Sequence, residues 1–247
     1  MITCDLKGGL GNMMFQIASI YSLALDNKSK CVFKHQKSLN QGNCSSTYVN
    51  NIFRNIDFSL NSLSYFQYRY YEDDFTYMPL PYRDNTIYDG YFQSHLYFQH
   101  NREKIKELFC VEKHEVDNSK IAVHIRRGDY IDYHDTHVNL LEKTDYYKNA
   151  FDYFGKNSEY IIFSDDIEWC KKNITLSNVQ YSESGIDHED MCKMSQYTKK
   201  IIANSSFSWW SAWLTNDCEK IIAPKQWFGK KGVSNWHTIY NDTWEVL

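Results

Sequence analysis

The chain has 247 residues, enough for one large domain or two small ones, and its 43% hydrophobic and 23% charged residues are typical of a folded soluble protein. A formal net charge of −4 argues against a general nucleic-acid-binding protein, because affinity for phosphate backbones depends on clustered lysine and arginine. Aromatic residues make up 17%, which leaves a sugar-stacking surface as an alternative to an ordinary aromatic core.

The first half of the chain begins like a β-α-β unit. Hydrophobic periodicity and glycine placement predict its elements. In chain order these are a strand over 1–6, a glycine-rich turn over 7–12, a helix over 12–26, a strand over 30–33, a strand running into a turn within 85–98, and a helix over 101–109. Residues 38–82 are polar, aromatic and weakly periodic, so we predict no element there. The polar segment 111–120 is the predicted linker.

The second half alternates short β-rich runs with helices, which is typical of a parallel, doubly wound sheet. The predicted strands are 120–125, 159–164, 178–182, 199–204 and 219–224, and the predicted helices are 145–157, 166–173, 187–197 and 207–217. We therefore expect an α/β protein with two Rossmann-like domains, residues 1–117 and 118–247, facing each other across a cleft. The C-terminal domain is the more regular.

Ligands of such sheets bind beyond the carboxyl ends of the strands, so the residues that follow each predicted strand are the candidate functional residues. Charged or polar groups cluster at nearly every one of these ends. They are Gly8 to Asn12, then His124, Arg126, Arg127 and Asp129, then Ser164 to Asp166, then Asp187 to Asp190, and finally Asn204 to Ser208.

Two adjacent arginines, Arg126 and Arg127, follow the apolar strand that ends at Ile125. A guanidinium is always charged and presents fixed N–H donors that match phosphate oxygens, so an arginine at a strand end can clamp a diphosphate. The pair could instead staple the loop, for instance through an ion pair between Arg127 and Asp129. We expect at least one arginine to contact a ligand.

The other strand ends have both a structural and a ligand-binding interpretation. The glycine loop can cradle an anion, or it can be a tight turn, since it matches neither the dinucleotide fingerprint nor Walker A. Asp165 and Asp166 can cap a helix or bind ribose hydroxyls, and Asp190 can cap a helix or accept N–H groups from a guanine edge. The serines at 205–208 open a helix whose N-terminus favours an anion.

Metal and disulfide chemistry are not indicated. No D-x-D occurs, so a sugar-nucleotide enzyme of this sequence would neutralise its leaving diphosphate with arginine and backbone N–H groups. The seven cysteines are scattered without a C-x-x-C pair, which favours reduced thiols in a cytoplasmic protein. The first residues do not resemble a signal peptide and no run is long enough to span a membrane, so we expect at most peripheral attachment to the inner membrane face.

Taken together, the chain resembles the inverting α1,2-fucosyltransferases that use GDP-fucose. The segments that carry the resemblance are, in chain order, GGLGNMMFQIA, YDGYFQSHLYF, VHIRRGDY, FSDD, and IIANSSFSWWSAWL followed by IIAPKQWF. The H-x-R-R-x-D-Y and N-S-S-F-S-W-W blocks are specific in combination, and the matching segments span essentially the whole chain. The chain is also distantly similar to α1,6- and protein O-fucosyltransferases, which share H-x-R-R-x-D.

The resemblance implies a metal-independent fold of the GT-B type that needs no cofactor, with residues 118–247 holding GDP-fucose and residues 1–117 on the acceptor side. Arg126 would contact the β-phosphate, and Asn12 would face the reaction centre. The resemblance also implies that His124 and Asp190 meet guanine, that Asp165 or Asp166 meets the ribose, and that Ser206, Phe207 and Ser208 meet the diphosphate. The implied GDP-fucose-binding residues further include Arg126 and two residues of the glycine loop, Gly9 and Gly11. The implied catalytic residues are Arg126, Asp129 and Asn12.

The implied reaction moves L-fucose to the 2-hydroxyl of a galactose-terminated glycan with inversion. The base is open among Asp129, Asp132, His134 and Asp135, and Asp129 could instead brace the loop. The acceptor is also open, because the chain is short for the family before Asp84 and after Asp129, and it has Met13 and Ile17 where the family usually has Gln and Tyr. Two alternatives remain, another GDP-sugar transferase of the same fold and a non-catalytic carbohydrate-binding protein.

Overall fold

The structure, a computed structural model, describes residues 1–36, 43–132, 135–155 and 157–247. The chain divides into two compact units. The first comprises Met1–Val111 and Asn235–Asn241, and the second comprises Glu112–Ser234 and Asp242–Leu247. None of the helices in these ranges is long and apolar enough to cross a membrane.

The first unit is built on a three-stranded parallel sheet. Its strands are β1 (Ile2–Cys4), β2 (Tyr68–Tyr71) and β3 (Thr86–Asp89), in the order β1-β3-β2. The α-helices within its described residues are α1 (Leu10–Asp26) and α2 (Arg102–Leu108). Helix α1 is buried on every side in its middle, where residues 13–20, including Met13, Met14, Phe15, Ile17 and Ile20, are all buried. The predicted strand, helix and later strand of this half are confirmed.

Two features of this unit differ from prediction. The predicted strand over 30–33 is wrong. Cys31 forms an isolated β-bridge with Ile2, and the N–H of Phe33 donates to the carbonyl of Asp57 at 2.8 Å instead of to β1. Strand β2 was not predicted, because most of its residues are exposed and it lies at a sheet edge, where no apolar alternation is required.

The second unit contains a six-stranded parallel sheet. Its strands are β4 (Ile121–Ile125), β5 (Tyr160–Ser164), β6 (Val179–Tyr181), β7 (Lys199–Ile201), β8 (Lys220–Ala223) and β9 (Glu245–Val246). The order is β6-β5-β4-β7-β8-β9. The chain runs outward from β4 through β5 and β6, then returns to β7 on the other side of β4. The order therefore reverses beside β4, and ligands of open α/β sheets bind at such a reversal.

The helices of this unit alternate with its strands. They are α3 (Leu140–Lys143), α4 (Tyr146–Phe154), α5 (Ile167–Asn173), α6 (Asp187–Ser195) and α7 (Ser206–Trp213). The predicted α/β class with parallel sheets is confirmed. Helix α3 and strand β9 were not predicted, because both are too short to show a period. The range of the predicted helix, 145–157, includes residue 156, which lies outside the described residues.

Candidate active site

Arg126 follows β4, at the point where the strand order reverses. Its guanidinium donates to Asp165 Oδ2 at 2.7 Å and to Asp129 Oδ1 at 2.6 Å, and its side chain is 32% exposed. Burial lowers the pKa of Arg126, but the charges of Asp165 and Asp129 outweigh burial and raise it. A guanidinium has five N–H donors, so these two bonds fix its plane and leave three donors for a ligand. Asp129 thus pairs with Arg126, and the ion pair suggested between Asp129 and Arg127 is wrong.

Gly128 makes this arrangement possible. Its φ is +20°, and a Cβ at this position would lie 2.4 Å from Asp165 Oδ2 and 3.5 Å from Arg126 Cζ. A side chain here would push the Asp165 carboxylate away from the arginine loop. We did not single out Gly128 from the sequence, although a glycine between two arginines and an aspartate is the signal that could have indicated it.

Arg127 is buried and points into the protein. Its Nε donates to Asp166 Oδ2 at 3.1 Å, its guanidinium lies 3.6 Å from the ring centroid of Trp169, and its backbone N–H donates to Asp165 Oδ1 at 2.9 Å. Asp166 also caps α5 by accepting the N–H of Trp169 at 3.2 Å. Arg127 therefore braces the loop, and the two adjacent arginines have different environments.

His124 and Phe207 form an aromatic pair at the same edge of the sheet. Their ring centroids are 4.9 Å apart, and His124 is only 4% exposed. Burial and then the charge of Arg126 lower the pKa of His124 to about 3, so its imidazole is neutral at physiological pH. Its Nδ1 is buried and has no hydrogen-bond partner among the described residues. A neutral imidazole with an unused nitrogen beside a phenyl ring suits a planar ligand that carries polar edge groups.

The N-terminus of α7 lies after β7. Ser205 caps the helix by accepting the N–H of Phe207 at 3.4 Å, and Ser206 is half-buried. Ser208 is fully buried, and its hydroxyl interacts with the backbone of Ala203 and Ser205. Ser206 and the positive end of the α7 helix dipole can thus attract an anion, whereas the Ser208 hydroxyl supports the loop.

Asp190 and the acidic residues after β4 have distinct partners. Asp190 accepts hydrogen bonds from the hydroxyls of Ser182 and Ser184, the latter at 2.8 Å. Asp132 is exposed, and Asp135 pairs with Lys231 at 2.6 Å. The fourth candidate base, His134, lies outside the described residues. Asp129 is therefore the candidate base that directly contacts Arg126.

In the first unit, the glycine segment is mostly helix rather than loop. Helix α1 begins at Leu10 with Gly9 as its N-cap, so Gly11 and Asn12 lie in its first turn and Gly11 is buried. Gly8 has a φ of +79°, and a Cβ here would lie 2.3 Å from Asn12 Nδ2. Asn12 Oδ1 accepts a hydrogen bond from Gln93 Nε2 at 2.8 Å. The predicted turn over 7–12 is thus too long, because its last three residues already belong to α1.

A half-buried carboxylate also lies in the first unit. Glu72 accepts the backbone N–H groups of Tyr91 at 2.6 Å and Phe92 at 3.0 Å. Burial raises the pKa of Glu72 to about 7, while these two hydrogen bonds and Lys7 lower it. Gln93 and Glu72 were not predicted as site residues. Gln93 lies in the segment YDGYFQSHLYF that carries the family resemblance, whereas nothing in the sequence around Glu72 links it to residue 91.

Among the described residues, no group of three or more His, Cys, Asp or Glu side chains is placed to hold a metal ion. Metal independence stays a prediction.

Comparisons with known proteins place the chain among sugar-transferring enzymes. Residues 1–247 match Glycosyl transferase family 11. The chain is 31% identical to the alpha-1,2-colitosyltransferase of Escherichia coli over 95% of each chain, and 28% identical to the O-antigen biosynthesis glycosyltransferase WbnK of Escherichia coli over 99% of each. It is 26% identical to the galactoside 2-alpha-L-fucosyltransferase SEC1 of Bos taurus over 90% of this chain and 67% of that protein. All three relatives are glycosyltransferases by name.

Proposed function

Because the chain belongs to Glycosyl transferase family 11, we propose that it transfers L-fucose from GDP-fucose to the 2-hydroxyl of a galactoside. The transfer inverts the anomeric configuration and needs no metal. The donor binds residues 118–247, and residues 1–117 contribute to acceptor binding. Asn12, in the first unit, takes part in the transfer.

The observation that carries this proposal is the pre-oriented guanidinium of Arg126 beyond the carboxyl end of β4. Asp129 and Asp165 hold its plane, and three of its N–H donors are available for a diphosphate. The two carboxylates and one guanidinium carry a net charge of −1, so the diphosphate also needs the positive end of the α7 helix dipole, where Ser206 lies.

The nucleoside is recognised by the pair of His124 and Phe207 together with Asp190. The neutral imidazole of His124 presents an unused nitrogen, and the Asp190 carboxylate can accept two N–H donors of guanine. Asp165 and Asp166 are the ribose-binding carboxylates of the proposal. Both already have partners, Asp165 in the arginine loop and Asp166 at the N-terminus of α5, so both stay candidates.

In the transfer step, the acceptor oxygen forms a bond to the anomeric carbon as the bond from that carbon to the diphosphate oxygen breaks. The electron pair leaves with GDP, and Arg126 stabilises the charge that develops there. The acceptor proton goes to a general base, and we propose Asp129 for that role because the family resemblance implies that it is catalytic; its contact with Arg126 is the reason for the alternative, a brace. The alternative of a purely bracing role predicts that Asp129→Asn changes stability but leaves the pH profile of kcat unchanged.

The similarity to an alpha-1,2-colitosyltransferase favours a second candidate, transfer of colitose from a nucleotide donor by the same residues. The two candidates differ in the donor sugar. Competition between a fucosyl and a colitosyl nucleotide distinguishes them, since the true donor has the higher kcat/KM.

The proposal is tested by assaying transfer from GDP-fucose to a panel of galactosides in EDTA, with Arg126→Ala in parallel. We expect transfer in EDTA and a strong loss in the variant, whereas no transfer to any galactoside refutes the α1,2 assignment. GDP at about 100 times its Kd, without magnesium, should stabilise the protein by about 2.7 kcal/mol. A purely carbohydrate-binding protein would show no such stabilisation.

A further inference from the structure

The side-chain amide of Asn12 is oriented by Gln93. Gln93 is only 7% exposed, and its Nε2 donates to Asn12 Oδ1 at 2.8 Å. Because the amide oxygen accepts this bond, the Nδ2 end of Asn12 carries the two N–H donors, which have no acceptor among the residues that the structure describes. Gly8 lies directly under Nδ2, where a Cβ would be 2.3 Å away. Gln93 therefore orients Asn12 as a donor, and the missing side chain of Gly8 leaves room for its Nδ2.

Gln93 itself extends from a turn in an unusual backbone conformation. Phe92 is fully buried and has a φ of +51°, a region that bulky side chains rarely adopt. Such a conformation persists only where the surroundings impose it. The backbone N–H groups of Tyr91 and Phe92 are both held by one residue, Glu72.

The Glu72 carboxylate accepts both N–H groups of this turn, with Oε2 at 2.6 Å from Tyr91 N and Oε1 at 3.0 Å from Phe92 N. Its approach depends on Gly90, where a Cβ would lie 2.5 Å from Glu72 Cβ and 2.7 Å from Oε2. The backbone of Glu72 is anchored to the sheet, since its N–H donates to the carbonyl of Asp89 at 2.9 Å.

From these contacts we infer that Glu72 is a positioning residue for transfer. The carboxylate ties the turn of residues 90–92 to the sheet, the turn fixes Gln93, and Gln93 orients the Asn12 amide. The inference rests on the proposed function, which gives Asn12 a part in the reaction. A residue that merely stabilised the fold would change stability without acting through Asn12.

The test is a double-mutant cycle with Glu72→Gln and Asn12→Ala, measured as kcat for transfer. Gln keeps the shape of Glu72 but replaces one acceptor oxygen with a donor, so one N–H of the turn loses its partner. We expect a fall in kcat of about 10-fold with little change in the donor KM, and less than about 2-fold when Asn12 is already Ala, because coupled residues are not additive. Asp73→Asn is the matched control, since Asp73 is the exposed neighbour of Glu72, and it should leave kcat unchanged.

Gln93→Met provides a second variant if Glu72→Gln folds poorly, and it should show the same lack of additivity with Asn12→Ala. Hydrogen exchange over residues 88–95 is measured in parallel without any donor, and it should rise in Glu72→Gln but not in Asp73→Asn. The inference would be overturned if Glu72→Gln left either the exchange or kcat unchanged. It would also be overturned if the losses of Glu72→Gln and Asn12→Ala multiplied in the double variant, or if Asn12→Ala kept full activity. Absence of transfer by the wild-type protein would instead refute the proposed function, and the exchange data would still decide whether Glu72 holds the turn.

Discussion

Replacing Arg126 with alanine should abolish most activity while costing little stability. The guanidinium makes two ion pairs, at 2.6 and 2.7 Å, and its side chain is 32% exposed. Partly exposed ion pairs contribute about 0.2–1 kcal/mol each, so the free energy of unfolding should fall by no more than about 2 kcal/mol. A donor that stabilises transition-state charge is worth about 2.7–4 kcal/mol, so kcat should fall by about 10² to 10³.

The adjacent Arg127 supplies the matched comparison. Its side chain is 7% exposed, its Nε donates to Asp166 at 3.1 Å, and it lies 3.6 Å above Trp169. A hydrogen bond between charged groups contributes about 1.5–3 kcal/mol and a desolvated cation–π contact about 2 kcal/mol. Arg127→Ala should therefore lower the free energy of unfolding by roughly 3.5–5 kcal/mol, with a smaller loss of kcat per folded molecule than Arg126→Ala.

Both variants are assayed for transfer from GDP-fucose in EDTA and for urea unfolding. The reasoning predicts a crossover, in which Arg126→Ala is the less active variant and Arg127→Ala is the less stable one. A kcat for Arg126→Ala within about 10-fold of the wild type would refute the assignment of Arg126 to the diphosphate, since the expected effect is 10² or more.

Three further predictions concern stability. Gly8→Ala should lower the free energy of unfolding in urea by about 1–3 kcal/mol, because Gly8 has a φ of +79° and Asn12 lies close to it. Gly9 has a φ of −79° and a Cβ there would have nothing within 4 Å, so Gly9→Ala should lower it by less than about 1 kcal/mol. Equal losses would contradict this. Burial lowers the pKa of Lys200 to about 7, so the folded state binds fewer protons than the unfolded chain between pH 7 and about 10.4. The free energy of unfolding should therefore rise with pH across that range, and Lys200→Met should remove this rise. Parallel pH curves for the wild type and the variant would disprove this. Trp209→Ala should lower the free energy of unfolding in urea by about 3–5 kcal/mol, because Trp209 is fully buried. A loss under about 1 kcal/mol would exclude a core role for this side chain.

Local pattern was sufficient for the central elements of the second unit. The strands 121–125 and 160–164 are apolar runs buried on both faces of a parallel sheet, so composition alone predicts them. Helix α7 was predicted because its serine cap and tryptophan spacing lie within one short segment. Strand β9 has only two residues, and its place beside β8 depends on the rest of the sheet.

The sequence by itself determined the α/β class, the family resemblance and the set of polar residues that follow the strands, because each depends on residues close together in the chain. Only the tertiary structure decided which of those side chains meet. Asp165 pairs with Arg126 across 39 residues, and Glu72 holds a turn 19 and 20 residues away. Strand order and packing set such pairings, and neither is encoded in local periodicity. For the same reason, Arg126 and Arg127 look alike in the sequence, yet one faces outward with donors to spare and the other is buried against Trp169.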